Sequence, residues 1–140
     1  MFFQNLNYIA IVIAMIAGVA VGFIWYAPWA FGRIWMKEKG LTKESMAAKQ
    51  GNRSMAPTFA LMALSALIEA FILSALFNSL IVTSFGGILL VALCVWIGFA
   101  VPPKAGDYLF GGESLSLFLI SVGQSLVAIT VMAMIVGIWA

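Results

Sequence analysis

Four long runs of apolar residues divide the chain, from about Asn7 to Ala27, Ala56 to Phe77, Thr83 to Val101 and Ser116 to Trp139. Each holds about the 20 residues that an α-helix with a rise of 1.5 Å per residue needs to cross the hydrocarbon core of a bilayer. The pattern predicts an all-α integral membrane protein. Its architecture is a bundle of four transmembrane helices, a single domain over residues 1–140 with no room for a soluble domain.

Polar and ring-bearing residues punctuate the runs. Trp25, Tyr26, Pro28 and Trp29 close the first one, combining side chains favoured at headgroup level with a proline that disfavours helix in the residue before it. Phe31 to Arg53 is the longest polar segment, a loop with room for one short surface helix from Thr42 to Gln50. Ser54 or Asn52 can cap the second helix, and Pro57 fits its first turn. Asn78 and Ser79 begin a short turn, and Pro102 and Pro103 are expected to end the third helix before a loop carrying Lys104, Asp107 and Glu113.

Composition and charge add the setting. Hydrophobic residues make up 64% of the chain and charged residues 9%, against roughly half and a quarter in a soluble domain. No Lys or Arg precedes the first apolar run, so it reads as a retained span rather than a signal peptide. Six of the seven basic residues (Arg33, Lys37, Lys39, Lys43, Lys49, Arg53) lie between the first two runs, and the seventh is Lys104. Bases accumulate on the cytoplasmic side. The expected location is therefore the inner membrane of the cell, with the 31–53 and 102–115 loops cytoplasmic and both termini outside. Spread out and mixed with Glu38 and Glu44, these bases read as a topology signal rather than a nucleic-acid site. Cys94 is single and carries no redox information.

Two further patterns concern packing. Gly22-Phe23, Pro28 and Phe31-Gly32 are echoed by Gly98-Phe99, Pro102-Pro103 and Phe110-Gly111, as a two-plus-two parallel repeat about the membrane normal would require. Ala14, Gly18 and Gly22 put small side chains on one face at intervals of four. Such a face marks close helix packing, within a subunit or in a homo-oligomer.

Chemistry is sparse. The chain has no histidine, and no phosphate loop or nucleophile-base pair is visible, so no metal, cofactor or enzymatic activity is expected. The exception is Glu69, the only acidic or basic side chain between Ser54 and Pro103. It lies about 20 Å along the second helix. An unpaired acid there costs about 2.5–3.5 kcal/mol, which a proton removes or a partner offsets. Gln124 and Ser125 in the fourth helix reach similar depth, and Ser65 stands one turn before Glu69; no Lys or Arg is expected near it. These four residues form the candidate site for a substrate, ion or proton. The bland alternative is a glutamate that holds helices together by hydrogen bonds.

The string from Gly22 to Trp35 resembles the W-Y-x-P-x-x-F-G-x-x-W signature of a family of small, mostly bacterial membrane proteins catalogued as domain of unknown function 1761. Trp25, Tyr26, Pro28, Phe31, Gly32 and Trp35 supply the signature, read as interfacial anchors. Trp96-Ile97-Gly98-Phe99, Tyr108-Leu109-Phe110-Gly111 and the run from Leu117 to Gly137 resemble its second half. The resemblance implies a four-span membrane protein and no particular activity. On the residues alone, the function expected is a small oligomeric transporter or permeation protein for a small solute, cation or proton. The alternative is a non-catalytic structural or assembly subunit with a membrane-protein partner.

Overall fold

A helix start leaves amides without partners, and short polar side chains stand at the starts of three of the long spans to take them. Asn7 Oδ1 accepts from the Ala10 amide at 3.1 Å, Ser84 Oγ from Gly87 at 3.0 Å and Ser114 Oγ from Leu117 at 3.2 Å. The computed structural model describes residues 3–82 and 84–139; Thr83, the expected start of the third span, lies outside the described residues. Its helices are α1 (Tyr8–Trp25), α2 (Arg33–Lys39), α3 (Lys43–Gln50), α4 (Ala56–Leu80), α5 (Phe85–Val95), α6 (Val101–Phe110) and α7 (Leu115–Ile138). Four segments are long and apolar enough to cross a bilayer: Tyr8–Lys39, Ala56–Leu80, Phe85–Phe110 and Leu115–Ile138. The protein is a four-helix transmembrane bundle.

Side chains also serve the starts of α3 and α4. Thr42 and Ser45 form a reciprocal capping box at the start of α3. At α4 the cap position falls on Met55, and the Ser54 hydroxyl accepts from the first helical amide, Ala56, at 3.1 Å.

The two proline-bearing segments depart from expectation, and for different reasons. After Pro28 the chain kinks at Ala30 (φ −104°, ψ −117°) and resumes as α2. The Ala27 carbonyl accepts the amides of both Ala30 and Gly32, at 2.9 and 3.0 Å. A Cβ on Gly32 would stand 2.3 Å from the Tyr26 carbonyl oxygen, so only glycine lets α2 start this close to the end of α1. In the third span the prolines do not end the helix. The turn at 96–100 widens to a π-turn, with the Val101 amide bonded to the Trp96 carbonyl five residues back. Pro102 and Pro103 then occupy the first turn of α6, where a missing N–H does least harm. Residues 101–110 are therefore helix rather than the expected loop, and Lys104 belongs to the bundle wall.

Helix α7 is the hub. It packs against α1, α4, α5 and α6, while α1 also packs against α4. The buried contacts are made by small or tightly fitted residues: Ala10, Ile11 and Ala14 on α1, Ala70 and Phe77 on α4, Ile88 and Ala92 on α5, and Met132, Ala133 and Val136 on α7. Small residues allow the close backbone approach that drives helix association in lipid, where burial of apolar surface contributes little. Exposed Ile9, Leu61, Leu90 and Leu119 face outward as a lipid-facing surface does.

Ala14, Gly18 and Gly22 sit at the α1–α7 contact. Ala14 is fully buried, a Cβ on Gly18 would lie 2.8 Å from Met132 Sδ, and one on Gly22 would lie 3.8 Å from Gln124 Nε2. This face packs inside the subunit at Ala14 and Gly18.

Candidate functional site

One pair of neighbours in the bundle is barely in contact: among the described residues α4 has no extensive packing against the α5–α6 rod. A groove of about 830 Å³ lies between them, floored by α7. Each wall contributes a helical stripe. Glu69, Ile72, Leu73 and Leu76 come from α4; Ala100, Pro103, Lys104 and Asp107 come from the opposite rod; Gln124, Ser125, Ala128 and Ile129 come from α7. All three recur at three- and four-residue spacing, the period of one helix face.

The structure brings three of the four expected site residues, Glu69, Gln124 and Ser125, into this groove. Ser65 lines a second cavity of about 210 Å³ between α1, α4 and α7, with Gly18, Gly22, Met62 and Met132. Glu69, Gln124 and Ala128 border both cavities, so the carboxylate stands on the ridge between them.

The expectation that no base approaches Glu69 is corrected. Because α6 continues past the prolines, Lys104 lines the same groove as Glu69. The two are not a contact ion pair. Lys104 Nζ instead donates to Ser121 Oγ at 2.7 Å. Ser125 Oγ donates to the Ser121 carbonyl at 3.2 Å. Among the described residues Glu69 makes no hydrogen bond, and the ion pair present is Lys39 with Glu113 at 3.8 Å. Glu69 thus does not tie helices together within the subunit. Its side chain is open to the groove.

The signature aromatics divide their work. The Trp25 indole, expected as an interfacial anchor, reaches into the bundle and donates to the Ile120 carbonyl at 2.9 Å. Its ring lies where a Cβ on Gly123 would come within 2.9 Å, so α7 is bare at that point to receive it. Trp96 does the same from the third span, donating to the Val122 carbonyl at 2.8 Å. Tyr26 meets Trp35 edge to face at 6.0 Å, and Trp25 meets Phe31 at 4.7 Å, so the rings brace the kink that Pro28 and Gly32 make. Both proline-interrupted spans therefore hand an indole to the same stretch of α7, immediately beside the groove.

Lys104, Asp107 and Ser121 are the site residues that sequence reasoning missed. Their signal was the spacing of Ala100, Pro103, Lys104 and Asp107, which places both charges on one helix face once the prolines are allowed inside the helix. Among the described residues no three His, Cys, Asp or Glu side chains converge.

Fold and groove together define a small multi-pass α-helical membrane protein with a charged lateral groove. The chain belongs to the family described as protein of unknown function DUF1761, whose model matches residues 9–137. No curated protein and no solved structure matches it.

Proposed function

We propose that the protein binds a small solute in the groove between α4 and α6 and moves it within or across the membrane. The observation that carries this reading is the separation of Glu69 from Lys104. An acid and a base share one groove, yet the base is fastened to Ser121 and the acid has no hydrogen bond among the described residues. Exposed charge in a membrane is costly, and side chains left in that condition mark substrate or ion pathways. A volume of about 830 Å³ falls in the range of small-molecule sites, roughly 300–1,000 Å³. The assembly-subunit alternative leaned on the Ala14, Gly18 and Gly22 face, and that face is filled by α7.

Water access to the groove tests the reading without knowing the solute. In a Cys94→Ala background, Ser125→Cys should react with a charged, membrane-impermeant thiol reagent in reconstituted vesicles. Val127→Cys, exposed on the same helix away from the groove lining, should react only with a lipid-soluble reagent. If Ser125→Cys also ignores the charged reagent, the groove is dry and the proposal fails.

A further inference from the structure

We infer that the groove between α4 and α6 takes lipophilic organic cations, seated with their charge at Glu69 and Asp107 and their apolar body against Ile72, Phe99 and Ile129. This rests on the reading of the groove as a solute site and names the class of solute.

Charge sets the sign. The ionisable groups that line the groove are Glu69 from α4 and Lys104 and Asp107 from α6; α7 contributes neutral Gln124 and Ser125, and α1 does not line it. Two carboxylates face one ammonium, and that ammonium is already held on Ser121 at 2.7 Å. A bound cation completes the balance, whereas a bound anion, although Lys104 keeps two further donors, would sit beside two carboxylates.

The walls set the chemistry of the cation. A metal ion such as Ca²⁺ needs six to eight oxygen ligands to replace its hydration shell. Isoleucines, leucines and a phenylalanine supply none. An organic cation with spread charge gives up little hydration, gains from apolar contact, and is attracted to an aromatic face such as that of Phe99. The gap between α4 and the α5–α6 rod sets the route, because a lipid-dissolved molecule meets the groove sideways without first crossing water.

The test is binding of tetraphenylphosphonium against tetraphenylborate, two ions of like shape and opposite sign, to the full chain in nanodiscs of uncharged lipid with empty nanodiscs subtracted. The phosphonium should bind saturably and about tenfold or more tighter than the borate. Glu69→Gln should weaken it by about tenfold or more, Glu69→Asp should restore most of the affinity, and Lys104→Met should tighten it. Tighter binding of the borate, abolished by Lys104→Met, would overturn the inference in favour of anions. Phosphonium uptake unchanged by Glu69→Gln, or no saturable uptake, would also overturn it. Reaction of Ser125→Cys with the charged reagent alongside either failure leaves the groove reading standing and removes only the cation.

Discussion

Lys104 Nζ stands 2.7 Å from Ser121 Oγ, so the one lysine in the groove is fastened to α7 while Glu69, across the gap on α4, stays free to meet something else. This asymmetry predicts opposite results from two mild substitutions. Glu69→Gln removes no hydrogen bond of the subunit and should leave unfolding stability within about 0.5 kcal/mol. Ser121→Ala strips a partly buried ammonium of its partner and should cost about 1–3 kcal/mol. Unfolding in mixed micelles compares them; a larger loss from Glu69→Gln would give that carboxylate a structural role.

Gly32→Ala should damage the fold more than its one methyl group suggests. The added Cβ would lie 2.3 Å from the Tyr26 carbonyl oxygen and 2.7 Å from that of Ala27, both backbone atoms that cannot swing aside. We expect a loss of about 1–3 kcal/mol or more, seen as a lowered melting temperature in detergent. Gly106→Ala, with open space around the added Cβ, serves as the control.

Gly18→Leu should reduce the yield of folded protein. Its side chain would be driven into Met132, which is 1% exposed and part of the α1–α7 core. A variant that stays folded and monodisperse while losing only a cross-linked dimer would show that α1 turns this face outward in the assembled protein.

Orientation is expected from the basic residues and can be read with cysteines in a Cys94→Ala background. Asn5→Cys and Ser79→Cys should be labelled by impermeant reagent on intact cells, and Lys43→Cys should not. Lys104, being part of the groove wall, is no reporter of a loop. Labelling at position 43 from outside would invert the arrangement.

Four spans and the isolation of Glu69 within the second were legible because hydropathy and a lone acid are local signals, carried by the residues themselves. The third span shows where local signals stop. Two adjacent prolines ordinarily end a helix, and in isolation Pro102-Pro103 says so; the π-turn at 96–100 absorbs them, with Trp96 bonded to the Val122 carbonyl to hold it. That outcome depends on α7, which no window of sequence around residue 102 contains. Misplacing one helix end by nine residues, Val101 to Phe110, moved Lys104 and Asp107 from the site to a loop. The small-residue face was visible as a face, but its partner was not, since Met132 and Gln124 lie more than a hundred residues away.

The position of α7 at the hub has a consequence for how the protein is made. Helices α1 and α4 can pair as soon as both have left the ribosome, because they touch directly. The third span leans on a later helix: α5 and α6 both pack against α7, which follows them in sequence, 24 residues from Leu115 to Ile138. Until those residues are inserted, the third span lacks the helix to which Trp96 and Lys104 bond. A chain truncated ahead of α7 would therefore present the insertion machinery with an α1–α4 pair and a third span whose Trp96 and Lys104 lack their partners on α7.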